Sequence, residues 1–354
     1  MATPNTPLWE VFIRSRNGLA HKHVGSLHAS DATMALQAAR DIYTPPRRGP
    51  VDLGRAVDRD HCERSRREGH DVRTGGIEDL PASDVLRGAG RSGTYVMPVA
   101  NIDVSETPLV LYALRRADDA LILGHRLSEW CGHAPMLEED MALSNIALDL
   151  IGQARELYTY AAKAEGRDND EDKLAYLRDV RQYRNLLLVE QPNGDFSQTL
   201  VRQFFYSAFA DLYWRAMMNS RDTTLAAIAA KSEKESAYHL RHASEWLIRL
   251  GDGTDESHAR AQAAIDHLWA FTGEMFAVDD GERALIHAGI AIDPGTLRGR
   301  WLQTLSDVVS EATLVLPQND WMQQGGRVGR HSEHLGHLLS ELQSMQRTFP
   351  GLTW

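Results

Sequence analysis

Two cysteines, Cys62 and Cys131, are all that the 354 residues contain. They lie far apart, so neither a disulfide framework nor a cysteine-based zinc spacing can be drawn from them. Basic charge is also short: 38 Lys and Arg stand against 49 Asp and Glu, for a formal net charge of −11. A nucleic-acid partner needs clustered cations without surplus acid, and this balance argues against one. No apolar run approaches the roughly 18 residues that a membrane-spanning helix requires, so no membrane partner is expected. The opening residues, MATPNTPLWEV, lack a basic stretch followed by an apolar one. No secretion signal is read there, and the chain is expected to be soluble and cytoplasmic. Aromatic residues are few at 7%, yet hydrophobic residues make up 43%, enough for a real core. The length suits two domains.

Patterning is uneven along the chain. Residues 8–16, LWEVFIRSR, alternate as a strand does, with Trp9, Val11 and Ile13 on one face. Asn17-Gly18 breaks the run as a hairpin turn would, and HKHVGSLHA reads as a second, weaker strand. Ser30 or Asp31 can cap a helix that reaches about Tyr43. This strand–strand–helix unit, residues 1–44, is too small to be stable alone and leaves sheet edges unpaired. Residues 45–96 are crowded with Arg and Asp and show neither helix nor strand period. With few large apolar residues they cannot offset roughly 1–2 kcal/mol of backbone entropy per residue, so disorder is expected there.

From about Pro108 onward the pattern is helical almost throughout. LVLYALRRADDALILGHRLSEW forms the first helix, WCGHAP breaks it, and a second helix spans 137–165 with Leu143, Ala147, Leu150, Ala154 and Leu157 at 3–4 spacing. Further helices are expected at 171–187, 195–219, 223–250, 256–276, 297–314 and 332–347. Gly-Asp-Gly at 251–253 stops one of them, and Pro317 with Gly325-Gly326 marks a loop. Long helices with short connections imply an antiparallel bundle of four main helices plus extras.

The blocks SEWCGHAP, ALDLIGQAR, NLLLVEQPNGDF, KESAYHLRHASEWLIRLGDGT, GIAIDPGTLR and SEHLGHLL occur in order across 97–354. In them the chain resembles the structural C subunits of bacterial phenylacetyl-CoA epoxidases, which are multicomponent oxygenases. WEVFIRSRNGLAHKHVGSLHA and MALQAARDIYT resemble the first half of the small B subunit of the same complexes, and that resemblance stops after Thr44. The resemblance implies a mainly α, ferritin-like bundle preceded by a truncated, incomplete α/β fragment. It implies a role in aerobic phenylacetate breakdown, beside a catalytic subunit of the same fold that holds a di-iron centre. It also implies a small bridging subunit and a reductase carrying flavin and iron–sulfur groups. This chain would itself hold no cofactor.

The B-like half breaks off where an aromatic-rich half should follow. Permitted codons for Val51–Ala56, read one base later, give Ser-Ile-Trp-Val-Gly, which is family-like. The same shift continues through Asp60–Ser65 and Asp79–Leu86, and at Gly93–Val96 it reaches a stop that overlaps the Met97 codon. Residues 45–96 are therefore read as a one-base frame slip joining two adjacent reading frames; an ordinary polar linker is the alternative.

A carboxylate-bridged di-iron bundle needs a Glu from each of two helices and Glu-x-x-His from each of the other two. Glu-x-x-His does not occur in the chain. The expected spot on the second helix reads Leu150-Ile-Gly-Gln153; Leu cannot ligate a metal and a neutral amide is a poor iron ligand. His239 is present, but Ser236 stands three residues before it and Glu235 four before. The first helix offers Asp118, Asp119 and Ala120, and residues 195–219 offer only Asp195 and Asp211. Asp119, Asp149, Gln153, Glu235 and His239 are read as a polar cluster in the place of iron, in which every member must be satisfied. The alternative is that several of them face solvent or a partner.

Other candidates carry less. His239, His242 and Glu245 fall on adjacent turns, but Arg241 and Glu235 beside them favour a salt-bridged helix surface over a metal site. His331, His334 and His337 read better as a helix start with a Glu333–His337 pair than as a metal site. In Trp130-Cys131-Gly132-His133 no nucleophile dyad is assured, and a lone Cys is usually a core residue. The GGRVGR glycines make a weak phosphate cradle, though Arg327 and Arg330 could meet an anionic partner. The favoured function is a non-catalytic structural subunit. An autonomous di-iron oxidase is the alternative, distinguished by iron content. A weaker one is an assembly module that binds CoA esters.

Overall fold

A computed structural model describes residues 8–13, 22–28, 51–55 and 101–349. The chain divides into two compact units, Met1–Gly93 and Thr94–Trp354. In the first unit, β1 (Leu8–Ile13) pairs antiparallel with β2 (Lys22–His28), with an irregularity between Val11 and Phe12. β1 also pairs antiparallel with β3 (Val51–Arg55), from Trp9 opposite Arg55 to Ile13 opposite Val51. The strand order is therefore β2-β1-β3. The first two strands agree with the alternation of the sequence. The third corrects it, because Val51–Arg55 lies in the segment expected to have no regular structure. Main-chain bonding along an open strand edge needs no large side chain, and Val51 and Leu53 alternate with Asp52 and Gly54 at the strand period. The turn at 14–21 and the helix expected at 30–43 lie outside the described residues.

The second unit is a ferritin-like bundle. Its helices are α1 (Pro108–Ser128), α2 (Leu137–Glu165), α3 (Glu171–Tyr176), α4 (Leu187–Glu190), α5 (Phe196–Met217), α6 (Thr223–Gly251), α7 (Asp255–Leu268), α8 (Asp280–His287), α9 (Arg298–Glu311), α10 (Glu333–Leu342) and α11 (Ser344–Thr348). α1 packs along α2, and α5 along α6, as two hairpins that meet at an α2–α6 seam. Residues 166–195 make the single long crossover between the hairpins, an arrangement that ferritin-like bundles use. α7 and α9 lie against α5, and α8 against α1. α5 is in consequence buried on all sides, from Ser197 to Trp214 with hardly a break.

Local chemistry sets the helix ends. Asp195 caps α5 by accepting from Gln198 N, and Asp222 caps α6 by accepting from Thr224 N and Leu225 N. α2 starts on Glu138, Glu139 and Asp140, which suit the positive end of the helix dipole, and it stops at Gly166 in the left-handed conformation. The expected helix at 171–187 is broken after Tyr176. There the buried Arg178 turns in to donate to Asp118, and the chain passes through a 3₁₀ turn at Val180–Gln182 before α4. α8 was not expected, and the helix from 256 passes into 3₁₀ turns after Leu268. Trp301 is the largest fully buried side chain; it donates to Phe205 O at 3.0 Å and packs among Trp269, Phe205 and Phe276. Among the described residues no helix is long and apolar enough to cross a membrane.

Candidate functional site

The expected polar cluster divides into two separate networks. One runs along the α2–α6 seam. Because the helices are antiparallel, residues rising along α2 meet residues falling along α6. Glu139 Oε2 lies 2.8 Å from His242 Nε2, and Asp149 Oδ2 lies 3.0 Å from His239 Nε2. Gln153 Nε2 donates to Glu235 Oε2 at 2.8 Å, and Lys231 Nζ donates to Glu156 Oε1 at 2.7 Å. Leu150, Ser236, Gln153 and His239 are buried, while Asp149 is partly open. Burial pushes the Glu235 carboxyl above its ordinary range, a shift that the Gln153 amide partly offsets.

Asp119 is not part of that seam. It is buried beneath the loop after α9, where Arg327 donates to it from both guanidinium nitrogens at 3.0 and 2.8 Å. Leu186 N donates to it at 2.7 Å, and Arg116 stands 3.7 Å away. Burial raises its carboxyl, and the two arginines work against the rise. The adjacent Asp118 faces elsewhere again, taking bonds from Tyr158 Oη at 2.6 Å, Arg184 N at 2.7 Å and Arg178. The anion that Arg327 meets is therefore a carboxylate of its own chain. The loop that carries it is tightly drawn in: a Cβ on Gly326 would stand 2.1 Å from Asn185 O.

A di-iron centre does not fit the residues present. It needs acidic and imidazole donors converging from four helices. Here the donors of α2 and α6 pair off one to one, and α1 commits both aspartates to arginines. On α5, Asp195 is spent on the helix cap and Asp211 on Arg215 at 2.9 Å. The remaining buried polar side chains of α5 are neutral apart from Arg202, namely Ser197, Thr199, Gln203 and Ser207. Among the described residues no group of three or more His, Cys, Asp or Glu is placed to hold a metal ion.

The lesser candidates resolve similarly. His239 and His242 reach across to α2, where a surface pairing with Arg241 and Glu235 was expected; Arg241 instead lies over the Tyr238 ring at 5.5 Å. Glu245 is exposed. α10 does start at Glu333, but no Glu333–His337 ion pair forms among the described residues. His331 takes the structural role, with Nδ1 2.8 Å from the fully buried Glu190 carboxylate and Nε2 3.0 Å from Tyr183 O. His334 and His337 are not drawn in with it. Cys131, expected in the core, is exposed in the turn after α1, and His133 Nδ1 lies 3.0 Å from its carbonyl, not its thiol. Arg330 is exposed. The sequence did not flag Glu190, Glu274 and Glu282, buried acids that tie the crossover and α8 to the bundle. Their only local signal is an acid among apolar neighbours, as in Leu-Leu-Val-Glu190.

The sequence model of the family described as phenylacetic acid catabolic protein matches residues 97–354. That of phenylacetic acid degradation B matches residues 5–73, so likeness to the small subunit does not end at Thr44. The C subunit of the 1,2-phenylacetyl-CoA epoxidase of Escherichia coli (strain K12) is 52% identical over 246 residues, covering 70% of this chain and 99% of that protein. The B subunit of the same enzyme, from the same strain, is 66% identical over 38 residues, 11% of this chain, and the chain spans only 40% of that protein's length.

Proposed function

We propose a scaffolding role from one premise: over residues 97–354 the chain belongs to the phenylacetic acid catabolic protein family. A part in phenylacetate catabolism, within an assembly of several subunits, follows from that membership. Within it, this chain acts as a structural subunit that performs no chemistry of its own. It supports a separate di-iron subunit of the same fold, which epoxidises phenylacetyl-CoA with electrons from a flavin and iron–sulfur reductase. Asp149, Leu150, Gln153, Glu235, Ser236 and His239 are then the degenerate positions of an ancestral metal site; Asp119, held by Arg327 away from that seam, drops out of the expected set. The observation that carries this is the one-to-one pairing of the seam donors, His239 with Asp149 and Gln153 with Glu235, which leaves no convergent ligand set.

Co-expression with the catalytic subunit tests the role. The two chains should co-elute on size exclusion, and epoxidation should require both, with this chain alone inactive. Epoxidation by this chain without the catalytic subunit would refute it. Deleting residues 1–96 should leave complex formation and activity intact, because the B-like piece spans too little of a small subunit to bridge anything. The join over residues 45–96 is proposed to be a one-base slip. β3 and the small-subunit match through residue 73 both fall inside it. Resequencing the gene across the Thr44 codon decides the point, since a clean single frame there would make the fusion real.

A further inference from the structure

A cleft of about 640 Å³ opens between the 3₁₀ turns at 269–276, the start of α9 and residues 320–324 of the loop that follows it. Its volume lies in the range of about 300–1,000 Å³ usual for small-molecule sites. None of the α2–α6 seam residues lines it.

Its floor is aromatic. Trp269 stacks on Trp301 with centroids 5.9 Å apart, and Phe276 meets Trp301 edge-on at 5.2 Å. Both indole N–H groups are spent on main-chain carbonyls, Trp269 on Asn319 O at 3.1 Å and Trp301 on Phe205 O at 3.0 Å. Ring surface is what the floor presents. Trp321 also lines the cleft, yet it is 61% exposed. Its loop is anchored on both sides: Trp321 N donates to Asn319 Oδ1 at 2.9 Å, and Gln323 N donates to Ala270 O at 2.7 Å. The loop also lies close on the 3₁₀ turn, where a Cβ on Gly273 would stand 2.7 Å from the Met322 side chain. An indole on an anchored loop beside an aromatic floor is a stacking surface for another ring.

Two charges line the cleft, and neither is spent. Arg298 and Asp320 are exposed, and their side chains form no ion pair with each other or with any other described residue. The remaining polar side chains of the lining are neutral. Thr272 turns its hydroxyl to Trp269 O at 2.8 Å, and Gln324 carries an amide. A guanidinium takes a carboxylate through two parallel hydrogen bonds, and a carboxylate accepts from an ammonium group. A ligand with only one of these charges would leave the opposite group of the cleft unmatched. A ligand with a ring, a carboxylate and an ammonium group matches both charges and the aromatic surface.

We propose that this cleft binds an aromatic amino acid as its zwitterion, with the ring on the Trp321 side, the carboxylate on Arg298 and the ammonium group on Asp320. The site is separate from the scaffolding role and does not depend on it.

The test is calorimetric titration of the full chain with L-phenylalanine, beside three probes that each lack one feature: phenylacetate, 2-phenylethylamine and L-alanine. One L-phenylalanine should bind per chain with a Kd below about 1 mM, and each of the three probes should bind at least tenfold more weakly. Arg298→Gln and Asp320→Asn should each weaken L-phenylalanine at least tenfold. Arg298→Gln should leave 2-phenylethylamine unchanged, and Asp320→Asn should leave phenylacetate unchanged. Trp321→Ala should weaken every probe that carries a ring. All three positions are exposed, so circular dichroism and urea unfolding should stay as in the wild type. Absence of saturable L-phenylalanine binding would overturn the proposal. So would phenylacetate or 2-phenylethylamine binding as tightly as L-phenylalanine, since the cleft would then read a single charge. Variants that bind L-phenylalanine like the wild type would place its site elsewhere and overturn the proposal as well.

Discussion

His239 Nε2 lies 3.0 Å from Asp149 Oδ2, joining α6 to α2 across the seam. His239 is buried and Asp149 is partly open, so the pair sits at the rim of the seam. Its function is to hold two helices together. His239→Ala should therefore destabilise the bundle by about 1–3 kcal/mol in urea unfolding, through the lost bond and the lost packing. It should leave the metal content of the chain unchanged.

Restoring acid to the seam should harm the fold and gain no metal. Leu150 and Ser236 are almost fully buried. Leu150→Glu with Ser236→Glu would put carboxylates at both, with no convergent partners from α1 or α5. Each buried, unpaired carboxylate costs on the order of several kcal/mol or takes up a proton instead. The double variant should unfold at clearly lower urea, and adding ferrous iron should not restore it.

Much of this was legible in the sequence, for physical reasons. α1, α2 and α6 declare themselves by apolar stripes at 3.6 spacing and α5 by a long, nearly unbroken apolar run, with Asp195 and Asp222 capping the starts of α5 and α6. α8 hides because its DGERALIH offers a single buried aliphatic residue, Leu285, and is held by a cap and by buried ion pairs. That Gln153 and His239 turn inward follows from helix periodicity, but the pairs Gln153–Glu235 and Asp149–His239 depend on how α2 and α6 pack and were not legible. Nor was the place of Asp119, because Asp118, Asp119 and Ala120 each turn about 100° from the last and no local rule says which of them faces the seam. β3 was missed because strand pairing at a sheet edge rests on main-chain bonds, which a five-residue stretch with Asp52 and Gly54 does not advertise.

The loop that carries Arg327 should be a sensitive point. Arg327→Met would leave buried Asp119 with only the more distant Arg116 as counter-charge. Breaking one side of a buried pair costs about 3–5 kcal/mol. Gly326→Ala should cost about 1–3 kcal/mol, because its Cβ meets the backbone of Asn185 and one segment must move. The two effects share one loop and should combine to less than their sum, as a double-mutant cycle would show.

Acid should loosen the contact between α8 and α1. Asp279 caps α8 through Glu282 N at 2.8 Å and pairs with buried Arg115. Burial would raise its carboxyl, but the bond from Arg115 and the backbone N–H groups outweigh this and hold it below its ordinary value. An acid depressed in the folded state adds stability that is present above the unfolded pKa and is lost as pH falls through the folded one. Asp279→Asn keeps a capping side chain and removes the charge. Its deficit against the wild type should be steady between about pH 7 and about pH 5 and should close below about pH 4, read from urea midpoints.

The most direct measurement is the iron content of this chain, purified alone after expression in iron-replete medium and read by elemental analysis beside its optical spectrum. A chain whose seam donors are spent on one another should hold well under one iron and show no oxo-bridge absorption. About two tightly held irons per chain, the load of a complete carboxylate site, together with oxygen-dependent product formation by the lone chain, would contradict it.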